Sequence, residues 1–321
     1  MPSLLEAEHP AVVLIQASGD YLLNLPALRA LAHVFHGRLA LVCRPGIRSA
    51  VLGDVHVTRS VEPVLDFSTL DGRFDARWVA ERLGPCDLLL SLNPWHARCT
   101  RELLDRVAPA TSVGYHRDFD IALHLDFTRH NAELGFDLAR ELSPRLEIEN
   151  FAGPPALDPV GAAAASRLLE NVPPGWRVYV VHAETKPDKM WAVPRLVAVL
   201  DWLLDRSPEA ITLDLGVTDL GLDRGVHGAR VVPCNGLPLA TAVALVGRAD
   251  LFLGVDSCLL HAADLFRVPS VGLFGPTDPH EFGLRFTRHR HVKGPSMDQI
   301  QVEAVIEAVC SLLQEVGDGP H

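Results

Sequence analysis

The chain has 321 residues, enough for two domains of ordinary size, and its 48% hydrophobic and 21% charged residues are those of a globular protein with a substantial core. A formal net charge of −11 excludes a nucleic-acid surface spread over the whole molecule and leaves room only for local basic pockets. No apolar run reaches the ~20 residues of a membrane span, and the opening MPSLLEAEHPAVVLIQAS has no positive region ahead of its apolar stretch. The expectation is a cytoplasmic protein without a membrane span, peripheral membrane contact being left open.

In chain order, the apolar run 11–16 reads as a buried strand that ends in the loop ASGD (17–20), and 21–35 has helical spacing. Further strands are expected at 38–43, 86–92 and 111–115, with a helix over 97–107. Three prolines and a glycine in NFAGPPALDP mark a linker near 150–158. The pattern then restarts, with strands at 175–183, 211–217, 229–234, 249–255 and 269–275, helices at 159–170, 193–205, 238–247 and 258–266, and a closing amphipathic helix over 299–316.

Strands alternating with helices at this spacing imply parallel sheets. The expected fold is therefore α/β, with two Rossmann-like, doubly wound parallel-sheet domains, 1–153 and 154–321, facing each other across a cleft. Packing of the last helix back onto the first domain is left open. Ligands of such sheets bind at the carboxyl ends of the strands. That end carries ASGD in the first domain and HAETK (182–186) and GVDS (254–257) in the second.

Several residues stand out there. Arginine has displaced lysine almost everywhere, and two of only three lysines, Lys186 and Lys189, sit in HAETKPDKMW. Asp256 and Ser257 stand where a strand hands over to a helix, a place that suits an anion at the helix start and equally a simple N-cap. Thr185, Lys186, Lys189 and Ser257 together offer hydroxyls and positive charge for a diphosphate. The six cysteines include no C-x-x-C pair, so they read as reduced and mostly core residues, and neither a disulfide framework nor a zinc site is expected. The HRH run at 289–291 and His33 with His36 lack metal-ligand spacing and read as surface residues.

ASGDYLLNLPALRAL (17–31), CDLLLSLNPWHARCTRELL (86–104), HAETKPDKMW (182–191) and GRADLFLGVDSCLLHAADLFRVPSVGLFGPTDP (247–279) are together similar to the heptosyltransferases, the ninth family of glycosyltransferases, over nearly the whole chain. The resemblance implies the two-domain GT-B fold and an inverting, metal-independent transfer of a sugar from a nucleotide diphosphate donor to an acceptor hydroxyl. It implies an acceptor-binding first domain, a donor-binding second domain, and no cofactor. By its motifs Asp20 is the general base, Lys189 with Thr185 contacts the diphosphate and sugar, and Asp256 holds the donor sugar. Ser257 and Cys258 form the phosphate-binding helix start, Leu237 packs the nucleobase, and Asp219 reaches the ribose. His261, one turn into the helix, is a further donor contact or a buried core histidine.

The chain departs from the family in three places. Cys258 stands where the family commonly has glycine, Asp219 where it has glutamate, and Glu184 puts an acid in a loop expected to face phosphate. Acceptor candidates in or near strand-end loops are Asn24, Arg44, Trp95, His116 and Arg117, with Asn24 and Arg117 singled out. Such a reaction needs a carboxylate to take the acceptor proton and fixed donors to stabilise the departing diphosphate.

Other classes fit less well. ASGDYL is not the G-x-G-x-x-G of a dinucleotide-dependent dehydrogenase, and GVDSCL lacks the spacing of a G-x-S-x-G hydrolase. A nucleotide-sugar epimerase of the same fold and a non-catalytic nucleotide-sugar-binding partner protein stay as alternatives. The high-arginine composition suits lipopolysaccharide-core assembly and natural-product glycosylation alike.

Overall fold

The computed structural model describes residues 4–66, 73–95 and 97–317, so His96 of the second motif lies outside the described residues. The chain divides into two compact units, Met1–Ala152 and Gly153–His321. In the first unit the strands are β1 (Pro10–Leu14), β2 (Ala40–Cys43), β3 (Arg59–Val61), β4 (Leu88–Ser91), β5 (Thr111–Gly114) and β6 (Ile121–Ala122). Its helices are α1 (Ser18–Leu23), α2 (Leu25–Val34), α3 (Ile47–Val51), α4 (Ala76–Leu83), α5 (Arg98–Val107) and α6 (Asn131–Leu142). All strand pairs are parallel, in the order β3-β2-β1-β4-β5-β6.

The second unit repeats the plan. Its helices are α7 (Pro159–Leu169), α8 (Val193–Arg206), α9 (Leu239–Val246), α10 (Cys258–Leu265), α11 (Pro279–Phe282) and α12 (Val302–Gly317). Strands β7 (Arg177–His182), β8 (Ala210–Gly216), β9 (Val231–Asn235), β10 (Leu251–Val255), β11 (Ser270–Phe274) and β12 (His289–Lys293) form a parallel sheet ordered β12-β11-β10-β7-β8-β9. Both sheets are doubly wound, with the strand order reversing beside the first strand of each unit. Such a reversal opens a crevice at the strand carboxyl ends, between β1 and β4 in one unit and between β7 and β10 in the other.

The sheets read as continuous apolar runs because both faces are covered. Each residue of β1, β2, β4, β10 and β11 is buried. In the second unit Val199, Leu200, Leu203 and Leu204 of α8 join Val305, Val309 and Leu312 of α12 over one face of the sheet, so α12 packs on α8, β11 and β12.

Two local expectations are corrected. The single helix over 21–35 is two helices that meet at Asn24, and α1 begins at Ser18, so Asp20 sits in a first helical turn and not in a loop. Pro26, in the first turn of α2, has no N–H to continue a ladder from α1 and suits a new helix start instead. The HRH run at 289–291 lies within edge strand β12, where His291 Nε2 accepts the Leu284 N–H at 2.9 Å and its ring meets Phe274 edge-on.

Candidate active site

In the second unit the crevice is lined by the loops that leave β7, β10 and β11. After β7 the chain runs through Ala183, Glu184, Thr185 and Lys186 into a single 3-10 turn, Pro187–Lys189. The far end of this loop is anchored by Trp191, whose ring is 2% exposed and whose indole N–H donates to the Ile300 carbonyl at 3.2 Å. Lys189 thereby projects from a fixed turn.

Its ammonium donates to Asp256 Oδ2 at 2.6 Å, and Phe282 of α11 lies beneath it at 5.9 Å. The other carboxylate oxygen of Asp256 faces His261 Nε2 at 3.8 Å. Asp256 and His261 are each 5% exposed. A carboxylate buried this deeply requires a compensating charge, and Lys189 supplies it. The Thr185 hydroxyl donates to the Asp256 carbonyl at 3.4 Å, closing the loop after β7 onto the loop after β10.

Ser257 stands at the N-cap of α10 in extended conformation but does not cap the helix behind it with its side chain. Its hydroxyl is buried without a partner among the described residues, as is that of Thr277 in the loop after β11. Two unpartnered hydroxyls and a helix start without a side-chain cap, beside a lysine, are the donor set that a phosphate group requires. Thr277 was not singled out in the sequence, although FGPTDP (274–279) signalled a tight strand-end loop. Cys258 opens α10 and is partly exposed. Lys186 is exposed and makes no ion pair among the described residues, whereas Lys293 is spent within the fold on the carbonyls of Gly275 and Gly294.

Glu184 has a structural explanation. It accepts from the Val217 N–H, from the Thr218 N–H at 2.9 Å and from the Thr218 hydroxyl at 3.0 Å, clasping the loop after β8 to the loop after β7. Burial pushes its carboxyl up, but the N–H groups of Thr218 and Val217 and the Thr218 hydroxyl outweigh it and hold the group below the ordinary range. Gly216 makes room for the clasp, since a Cβ there would lie 2.9 Å from Glu184 Oε2. Burial pushes His182, at the end of β7, down, and its Nδ1 pairs with the Leu215 carbonyl at 2.6 Å. Asp219 is exposed and turns the chain by accepting the Gly221 N–H at 2.7 Å. Leu237, partly exposed, follows Gly236, which takes a left-handed φ of +68° and donates to the Gly216 carbonyl at 2.8 Å.

In the first unit Asp20 is half-buried and accepts the Ala17 N–H at 3.0 Å. Its helix is pinned by Tyr21, fully buried, whose hydroxyl donates to the Leu14 carbonyl at 2.5 Å and accepts the Arg44 N–H at 2.7 Å. Asn93, after β4, accepts the Ile15 N–H at 2.8 Å and ties the two strands beside this crevice. Neither Tyr21 nor Asn93 was legible as a positioning residue. Asn24 is buried, donates to the Asp20 carbonyl at 2.9 Å and fills the space that Gly135 leaves on α6, while its Oδ1 has no hydrogen-bond partner among the described residues. Arg117 is exposed after β5, next to the charge chain His116, Asp118 and Arg101. Among the described residues, no three His, Cys, Asp or Glu side chains are grouped to hold a metal ion, and no helix is long and apolar enough to cross a membrane.

Two parallel sheets with these strand orders define the GT-B-like α/β class, and solved structures share it at low identity. A glycosyltransferase of family 9 from Veillonella parvula aligns with a TM-score of 0.77 at 17% identity, over 96% of this chain and 99% of that one. E. coli ADP-heptose lps heptosyltransferase II gives 0.72 at 15% identity, over 96% and 99%. E. coli heptosyltransferase WaaC with ADP gives 0.70 at 18% identity, over 94% and 99%. By sequence, residues 163–307 match the model of glycosyltransferase family 9 (heptosyltransferase), and no curated protein matches. The match makes the second unit similar to family 9 glycosyltransferases, and the matched segment contains the whole Lys189, Asp256 and His261 cluster.

Proposed function

We propose that this protein transfers a sugar, a heptose or a relative of it, from a nucleotide diphosphate donor to an acceptor hydroxyl by a single displacement that inverts the anomeric centre. The acceptor oxygen attacks the anomeric carbon on the face opposite the diphosphate; the new C–O bond forms as the bond to the leaving phosphate oxygen breaks. Asp20 takes the hydroxyl proton, because an alcohol is too weak a nucleophile without a base. One such base suffices, since no glycosyl–enzyme intermediate has to be formed and broken.

The leaving diphosphate gains negative charge, and preorganised donors stabilise that charge more in the transition state than in the ground state. Lys189, the hydroxyls of Thr185, Ser257 and Thr277, and the N–H groups that open α10 take this part, in the role a divalent metal plays in other transferases. Asp256 orients Lys189, with its remaining oxygen and His261 beside the donor sugar. Asp219 and Leu237 serve the nucleoside. The compartment is the cytoplasm, in keeping with cysteines that are all free in the structure. The acceptor belongs to a lipopolysaccharide core or to a natural product.

The observation that carries this reading is the buried Lys189–Asp256 pair beside the start of α10, at the reversal of strand order. The test is a panel of nucleotide sugars read by thermal shift, followed by acceptor-dependent turnover in the presence of EDTA. A stabilising donor and EDTA-insensitive transfer are expected. Sugar isomerised without acceptor makes the protein an epimerase; donor binding with no turnover for any acceptor makes it a binding protein. Asp20→Asn keeps donor affinity and loses about two to four powers of ten in transfer rate, the usual worth of a general base.

A further inference from the structure

Among the described residues, only two aromatic side chains are exposed, and they stack on each other. Trp95 is 56% exposed, Phe127 is 43% exposed, and their rings are 5.3 Å apart at 17°. Trp95 follows β4 two residues after Asn93, and Asn93 is bonded to Ile15 in the segment that leads to Asp20. Neighbouring strands lie ~4.8 Å apart, so the loop bearing Trp95 and the loop opening α1 leave the sheet side by side.

Phe127 comes from farther away. It follows β6, at the edge of the sheet beyond β5, and the chain returns across the strand ends to reach Trp95. The return is shaped by Asp126, which accepts from the Thr128 N–H at 3.0 Å and the Thr128 hydroxyl at 2.7 Å. Among the described residues every other Phe, Trp and Tyr ring is buried or partly buried, and the two exposed ones come together beside the β1/β4 crevice.

The charges flanking the pair are compensated. Arg101 pairs with Asp118, Arg129 with Asp137, Arg140 with Glu133 and Asp137, and Arg98 with Glu102. Two make no ion pair among the described residues, Arg117, which is exposed, and Arg73, whose guanidinium donates to the Ile15 carbonyl at 3.3 Å. A phosphorylated or otherwise polyanionic acceptor calls for several unpaired cations. A neutral sugar ring calls for an aromatic face, because its axial C–H groups carry slight positive charge and meet the negative face of the π-system.

We infer that Trp95 and Phe127 form an acceptor platform for the C–H face of a neutral pyranose ring. The inference rests on the glycosyltransferase reading above and adds the class of acceptor. Ring stacking holds the acceptor beside Asp20 without charge, so affinity depends on the face of the sugar and is insensitive to salt.

The test uses saturation-transfer NMR on the full chain with methyl β-D-glucopyranoside, glucose 6-phosphate and phenol as probes, and calorimetry with ADP and UDP in parallel. Saturation of the pyranoside C–H protons is expected with the wild type. It falls between about two- and tenfold in Trp95→Ala, the range for losing one ring contact, and is largely kept in Trp95→Phe. An unchanged pyranoside signal in Trp95→Ala overturns the platform. So does a Trp95-dependent signal that is stronger for glucose 6-phosphate or for phenol than for the pyranoside. Failure of both nucleoside diphosphates to bind overturns the transferase reading instead, while the pyranoside result still decides the platform.

Discussion

The two units share one strand order yet furnish their crevices differently. At the β7/β10 crevice the buried charged groups are already engaged, Lys189 on Asp256 and Asp256 facing His261, beside two unpartnered hydroxyls. At the β1/β4 crevice Asp20 is held by a backbone N–H on a short helix, and the residues around this crevice include a buried tyrosine, a buried asparagine and an exposed tryptophan. Strand order determines where a site lies; the residue types at the strand ends determine what it can hold. The second unit binds its charges into its own stability, so substitutions there should disturb folding and chemistry together. In the first unit the two should separate.

The largest expected effect tests that coupling. Lys189→Ala removes the charge that the proposed function aims at the leaving group and should lower kcat/KM by about two to three powers of ten. It also leaves Asp256 buried without its partner, which should cost roughly 3–5 kcal/mol of stability. Adding Asp256→Ala should restore most of the stability and none of the activity. Urea unfolding and initial rates on the two single variants and the double variant measure both. A double variant no more stable than Lys189→Ala would show that the unpaired Asp256 is not what destabilises Lys189→Ala, and the contrast between the units would fail.

A second buried acid extends the comparison into the sheet itself. Asp214 lies inside β8, 2% exposed, with Oδ2 unpartnered. Burial, with the negative charges of Asp219, Asp223 and Glu184, pushes its carboxyl up to about 7. Because the folded value lies above the unfolded one, near 3.8, the folded state keeps a proton that the unfolded state has released. Stability therefore falls as pH rises from about 4 to about 7 and is level above that. Asp214→Asn removes the effect: it should match the wild type near pH 4 and exceed it at pH 8 by up to about 4 kcal/mol. Parallel melting curves against pH check this, and two superimposable profiles would place the ionised carboxylate comfortably inside the fold.

Legibility in the sequence followed the same physics. Continuous apolar runs such as 11–16, 86–92 and 249–255 announced the central strands of both sheets, and with them the parallel α/β plan. The edges did not announce themselves. β3 and β6 span three and two residues, too short for a period, and β12, with the sequence HRHVK, carries its polar groups at a sheet edge. Around the site, HAETK and GVDS marked the loops that the structure brings together. The pairing within them was hidden, because Lys189 and Asp256 are 67 residues apart and only the path of the 3-10 turn aims one at the other. The same holds for Glu184, whose clasp on Val217 and Thr218 spans 33 and 34 residues and exists only once β7 and β8 lie side by side.

The smallest expected effect concerns that clasp. Glu184 accepts three hydrogen bonds that join the loops after β7 and β8, and both loops carry residues assigned to the donor, Thr185 and Lys189 on one and Asp219 on the other. Glu184→Gln keeps the shape, with its NH2 group meeting the Thr218 hydroxyl, which can accept, and its oxygen keeping both N–H bonds; what is lost is the charge assistance of the three bonds, worth about 1 kcal/mol. The donor KM should rise about fivefold through that loss, with kcat unchanged, because the clasp shapes the site and touches no reacting atom. A loss of affinity alone would not show that the loops had parted. Hydrogen exchange supplies the local readout: the Val217 and Thr218 amides should lose protection in the variant, while amides of β1, in the unit without such a clasp, should keep theirs. If protection at 217 and 218 is unchanged while KM rises, Glu184 acts on the donor directly, and the acid in this loop belongs to the binding site rather than to its frame.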